Sequence, residues 1–176
     1  ELGLQSANFE TLKRINRAHG VSEFVDAVLR AKARGLKVCA HAILGLPGEG
    51  REDFLETAKL FAALKVEGVK VHPIYVMRHT GLARLYEAGA FRPLELEEYA
   101  GAAAEFLEYL PPTTVVHRLT AEASPPALLA PEWCTYEKKL SVINAIELKL
   151  LERGSRQGAL YERAVGNAYE LVYEPR

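Results

Sequence analysis

The sequence is poor in features that announce chemistry. It holds two cysteines, Cys39 and Cys134, in 176 residues. They form no CxxC pair, so neither a zinc site nor a disulfide framework is indicated. No apolar run is long enough to span a bilayer, and no secretory signal is visible, so a reducing, cytoplasmic compartment is expected and no membrane partner. Neither sign of charge dominates: 22 basic against 23 acidic side chains give a formal net charge of -1. That balance excludes a general attraction to nucleic acid, although a local patch stays open. No HxxxH pair sits on a predicted helix, and "GLPGEG" lacks the Gly-Lys-Ser/Thr ending of a Walker loop, so no metal site is expected in this chain. An initiator methionine is also missing. The chain opens at Glu1 directly into a strand-like "ELGLQS", and the expectation is the C-terminal part of a longer protein.

What is present suits a globular core, at 49% hydrophobic and 26% charged residues. The apolar spacing predicts a strand at about 1–5, then a helix over "FETLKRIN" capped by Asn8. A second helix, "EFVDAVLRAKAR", is predicted to be capped by Ser22 and stopped by Gly35. The run "GLKVCAHAILGLPGEG" reads as a strand ending in a Gly/Pro turn, followed by a helix over 51–64. "VKVHPIYVM" reads as the next strand. A short helix over "TGLARLYEAGAF" and a longer one over "LELEEYAGAAAEFLEYL" follow, the latter ended by Pro111 and Pro112. "TTVVHRLT" is strand-like, "ASPPALLAP" reads as a connection, and "YEKKLSVINAIELKLLERG" as an amphipathic helix; the last residues are ambiguous. Alternating strands and helices are the order of βα units on a parallel sheet, with strands buried on both faces.

In such folds ligands gather at the C-terminal ends of strands. That rule selects Gln5 and Ser6, His41 through Gly48, and Tyr75 through Thr80. Strand parity puts Cys39, His41 and Ile43 on one side, and Lys70, His72 and Ile74 together on the next strand. Lys70 and His72 within apolar runs point to a polar cavity, since a buried lysine is rare unless paired or functional. A lysine snorkelling to water and a histidine satisfied within the core are the plain structural alternatives.

At this point the ordered pieces resemble a family. "ELGLQS", "TLKRINRAH" and "GLKVCAHAILGLPGE" are similar to the second half of the radical S-adenosylmethionine (radical SAM) domain. Versions of them occur in oxygen-independent coproporphyrinogen oxidases, Elp3-type enzymes and methylthiotransferases. "VKVHPIYVMRHTGLARLYEAG", "HRLTAE" and "LLAPEWCTYEKKLSVINAIELKLLERGSRQG" resemble the YtqA/YhcC-type subfamily. The resemblance implies an α/β fold whose parallel βα units form the second half of a partial (β/α)6 barrel, with C-terminal helices added. Residues 1–110 would be the half-barrel, 111–158 a subfamily-specific extension ending in a long helix, and 159–176 an unassigned tail.

The resemblance also implies cofactors: a [4Fe–4S] cluster on three cysteines and SAM, cleaved to a 5′-deoxyadenosyl radical. Carried over by position, Gln5, Arg17, His41, Ile74, Tyr75 and Val76 would contact SAM. Arg17 would take its carboxylate, because a guanidinium matches a carboxylate with two parallel N–H bonds. Lys70, His72, His117 and Arg118 would contact substrate. Implied partners are tRNA, through wobble-uridine modification by relatives, and a flavodoxin or ferredoxin as electron donor. The cluster motif itself is absent, so the chain alone is expected to be inactive while the parent protein is an enzyme. Its first strand, at 1–6, would be an open edge, expected to pair in a dimer or by strand exchange. Two other readings stay open: a non-catalytic half-barrel that binds SAM or RNA, and a TIM-barrel lyase with Lys70 as amine nucleophile.

Overall fold

The structure, a computed structural model, describes residues 1–166. Four parallel strands form its centre, in the order β1 (Leu2–Gln5), β2 (Cys39–Leu44), β3 (Gly68–Pro73) and β5 (Val115–Arg118). β1 leads to β2 through α1 (Phe9–Arg14) and α2 (Val21–Lys32), and β2 to β3 through α3 (Arg51–Ala63). Between β3 and β5 lie a short strand β4 (Val76–Met77), α4 (Gly81–Glu87) and α5 (Leu96–Tyr109). After β5 come β6 (Leu128–Ala130), a 3-10 turn at Tyr136–Lys138, α6 (Lys139–Glu152) and α7 (Tyr161–Gly166). The α/β half-barrel expectation therefore holds in its element order and its parallel pairing.

Three local expectations are corrected. "VKVHPIYVM" is not one strand. β3 ends at Pro73, and β4 turns away to pair antiparallel with β6 in a separate two-stranded sheet. β6 in turn lies within the segment read as a connection; its apolar residues "LLA" close over Val76 rather than trailing through solvent. The second helix begins one residue before Ser22. The Glu23 carboxylate reaches back to accept the Gly20 N–H at 2.9 Å, so the acid at the helix's third position does the capping. Asp53 treats Gly50 in the same way at the head of α3. Asn8 does cap α1, its side chain accepting from the backbone N–H groups of Glu10 and Thr11.

The strands are also less symmetric than a continuous apolar run suggests. On β2, Ala40, Ala42 and Leu44 are buried while Cys39, His41 and Ile43 are half-buried; β3 alternates likewise. The buried side faces α3 and α5, where Ala100, Ala103 and Ala104 let the helix lie close to the sheet. Phe61 anchors this layer, fully buried against Phe24 at 5.8 Å and edge-on to Phe106 at 6.1 Å between ring centroids. Burial of one such ring stabilises by about 2–3 kcal/mol. The other face of the sheet carries no helix among the described residues. It is the inner wall of the half-barrel, and the polar side chains collect there.

Turn chemistry fixes the C-terminal rim. Gly45 and Gly48 both have φ near +85° (86° and 85°), conformations that L side chains resist. At Gly48 a Cβ would also lie 1.9 Å from the Arg14 guanidinium, which donates to the Pro47 carbonyl. The Gly-Leu-Pro-Gly turn is thus pinned to α1.

Candidate functional site

The site is built outward from Gly3. Gln5 ends β1 with φ of 80°, an uncommon conformation for a residue with a side chain, and the β1–β2 register slips between Gly3 and Gln5. This strain folds the amide back over the strand. A Cβ at Gly3 would lie 2.5 Å from Gln5 Nε2 and 3.0 Å from Arg17 Nη2. Arg17, from the turn after α1, donates through Nη2 to the Gly3 carbonyl. His19 Nε2 lies 3.1 Å from that same oxygen. Arg17 Nε is buried without a hydrogen-bond partner, an arrangement that normally awaits one. On the next strand His41 is Gly3's register partner. The structure therefore brings together Gln5, Arg17 and His41, three residues distant in sequence.

His41 continues a polar row across the sheet, Gly3–His41–Lys70–Arg118, each the register neighbour of the last. Glu1 binds two of its members, at 2.5 Å from Lys70 Nζ and 3.2 Å from His41 Nε2. The Lys70 contact holds the Glu1 carboxyl below its ordinary range. Burial pushes His41 below the usual imidazole value, against an upward pull from Glu1. His72 stands 6.1 Å from the His41 ring between centroids, and its Nε2 is buried without a partner. Burial and then the Arg118 charge push His72 down to about 4, so it is neutral at physiological pH. His117 and Arg118, on the edge strand, are exposed.

The three residues after β3 divide. Ile74 donates its N–H to the Leu44 carbonyl at 3.0 Å and packs on Gly45, so it borders the Gly-Leu-Pro-Gly turn. Tyr75 is half-buried against the main core. Val76 is fully buried in a second cluster with Ala83 and Ala130. The β4–β6 pairing turns its side chain inward.

Glu1, Cys39 and His41 each place a ligand atom within 4.8 Å of the others. The Lys70 ammonium on the same Glu1 carboxylate opposes a metal cation there, and burial raises the Cys39 thiol, keeping its proton on. Lys70 itself is engaged by a carboxylate rather than lying in an apolar pocket, the setting an amine nucleophile needs. A cavity of about 880 Å³ lies at the other end of the sheet, at the N-terminal starts of β2, β3 and β5. The convergent polar groups lie on the inner wall and the C-terminal rim.

One rim residue escaped sequence reasoning. Glu49, in the loop after Gly48, accepts a hydrogen bond from the buried Ser6 hydroxyl, tying the loop after β2 to the end of β1. Burial pushes its carboxyl up to about 7, against downward pulls from Ser6 and Thr11. The signal was present in "GLPGEG", but nothing local shows that this acid is drawn inward while Glu52 stays exposed.

Comparison with known proteins decides the family. The radical SAM superfamily model matches residues 1–61, and that of the radical SAM C-terminal domain matches residues 66–152. The chain belongs to the radical SAM superfamily. Protein YhcC of Escherichia coli is 40% identical over 160 residues, which is 91% of this chain and 51% of that protein. Uncharacterized protein YtqA of Bacillus subtilis is 37% identical over 163 residues, 93% of this chain and 50% of that protein. Human Elongator complex protein 3 is 31% identical over 129 residues, 72% of this chain and 24% of that one. In structure, the archaeal Methanocaldococcus infernus Elp3 with an N-terminal deletion superposes with a TM-score of 0.69 at 25% identity, over 92% of this chain and 39% of that one. The likenesses to YhcC and YtqA place this radical SAM chain in their subfamily. It spans about half the length of these curated relatives.

The groups this family uses can be tested against the side chains. For SAM the fit is good: a bare Gly3, a folded-back amide and a guanidinium with an unused buried N–H offer complementary polar contacts. For a [4Fe–4S] cluster the fit fails. Three thiolates are needed, while Cys134 is buried beneath the helices with its thiol pushed up to about 12, and Cys39 lies on the inner face of β2.

Proposed function

We propose that this chain supplies the SAM-binding corner and part of the substrate wall of a radical SAM enzyme. The observation that carries the reading is the convergence of Gln5, Arg17 and His41 on Gly3, with Arg17 Nε buried and unpartnered. Arg17 takes the SAM carboxylate, Gln5 a neighbouring polar group, and His41 a ribose hydroxyl; Ile74 and the half-buried Tyr75 border the adenine. In the complete enzyme the cluster supplies the electron that cleaves SAM, and its cysteines come from the portion this chain does not span. The chain alone binds no cluster and is inactive. The whole protein acts in a cytoplasmic setting with a flavodoxin or ferredoxin, and tRNA wobble uridine is the substrate that the family resemblance favours. Lys70, His72, His117 and Arg118 face that substrate.

The test is a SAM titration of the full-length protein and its Arg17→Ala form by calorimetry. Loss of a charge-assisted, bidentate contact should weaken binding by about tenfold or more. Equal affinities would remove Arg17 from the site, and with it this reading of the corner.

A further inference from the structure

Positive charge gathers on the inner wall away from the SAM corner. Lys70 on β3 and Arg118 on β5 are register neighbours. His72 lies two residues beyond Lys70, on the same face. β5 reaches this face through a register shift: Val116 pairs with Val69 and Arg118 with Lys70, leaving His117 as the extra residue of a bulge. The His117 ring lies over Gly68, its Nε2 2.6 Å from the point where a Cβ would stand. The bulge thus lets two consecutive residues serve one side of an edge strand, a device that re-aims side chains.

The nearby acids are already engaged. Glu1 holds Lys70, and Glu122 accepts from the Thr120 hydroxyl at 2.6 Å and lies 3.7 Å from Lys139 Nζ. Arg118 takes part in none of the ion pairs among the described residues, and its charge acts instead on the neutral His72. His72 Nε2 is buried and unpartnered. Two cations and a neutral imidazole with an unused ring nitrogen therefore face one another across adjacent strands.

We propose that Lys70, His72 and Arg118 form an anion site that holds a carboxylate or phosphate group of the substrate against the inner wall. The chemistry of the three donors is complementary. Arg118 offers a planar fork of N–H groups, matched to two oxygens of either anion. Lys70 keeps two of its three N–H donors after pairing with Glu1. His72, with its proton on Nε2, donates a third bond from a buried position. This inference rests on reading the face as the substrate wall of a SAM-dependent barrel, but it uses none of the SAM-contacting residues.

The experiment is calorimetric titration of the full-length protein with inorganic phosphate and, separately, with acetate, at ionic strength held constant with chloride. The inference expects saturable binding of at least one anion. Binding of phosphate alone assigns a phosphoryl group to the substrate, and binding of acetate assigns a carboxylate. Arg118→Gln, at an exposed position whose side chain makes no ion pair among the described residues, should weaken that binding by about tenfold, and His72→Gln, which retains an N–H donor, by less. SAM affinity should be unchanged in both variants. Absence of binding by both anions, or equal binding by Arg118→Gln, overturns the anion site. If the anion binds as expected while SAM binding is insensitive to Arg17→Ala, the SAM corner fails and the anion site stands.

Discussion

Glu49 offers the sharpest test of how the rim is held. Its carboxyl is raised from an ordinary 4.5 to about 7, chiefly by burial. At 1.36 kcal/mol per unit, ionisation in the native state costs about 3 kcal/mol, and partial solvent contact reduces this to about 2 kcal/mol. The sign follows from proton counts. Between pH 4.5 and about 7 the folded chain keeps a proton here that the unfolded chain has lost, so stability falls as pH rises through this window and levels above it. His72 acts oppositely, because its folded value of about 4 lies below the usual 6.5: it costs stability as pH falls from 6.5 toward 4. A simple stability profile would therefore mix the two. Glu49→Gln separates them, since the amide oxygen still accepts from Ser6 and carries no charge. Urea unfolding of both forms from pH 4.5 to pH 9, analysed for a common slope in denaturant, should show equal or slightly lower stability of Glu49→Gln at the acid end. At pH 8 and above the variant should be more stable by about 2 kcal/mol. A constant difference across the whole range would show that Glu49 is ordinarily ionised and the rim is not held by a neutral acid.

Other outcomes follow from single contacts. Gly3→Ala places a methyl group 2.5 Å from Gln5 Nε2, so SAM affinity of the full-length protein should drop while the thermal midpoint moves little, the displaced atom being the end of a flexible side chain; unchanged SAM affinity would count against the corner. Arg153→Ala leaves Glu108, which is 2% exposed, without its paired guanidinium at 3.0 and 3.1 Å, and should cost about 2–3 kcal/mol in chemical denaturation, while Glu108→Gln with Arg153 retained should cost less. β1 pairs only with β2 among the described residues, so the isolated chain should self-associate through residues 1–6, and light scattering of a strict monomer at high concentration would refute this.

The sequence carried the helix–strand order well because periodicity and capping are local. Asn8, Gly35 and the Pro111–Pro112 stop act within a few residues of where they are read. The failures share a different cause. "VKVHPIYVM" has no local signal for a break after Pro73; the break exists because Val76 finds its apolar partners in Ala83, beyond the next turn, and in Ala130 of the distant strand β6. Glu23 displaced Ser22 as the capping group because a carboxylate three residues into a helix reaches the N–H before it. The site divides along the same line. Lys70 and His72 were legible as polar residues on one side of an apolar strand, but their partners were not, since Glu1 reaches Lys70 only once β1, β2 and β3 are in register. Arg17 was readable only through family resemblance. Its physical reason, a glycine whose missing Cβ admits both an amide and a guanidinium, is a property of the folded strand. Gly3 is therefore the residue on which the proposed function turns: it has no side chain to suggest a role, and the two groups assigned to SAM meet in the space it leaves.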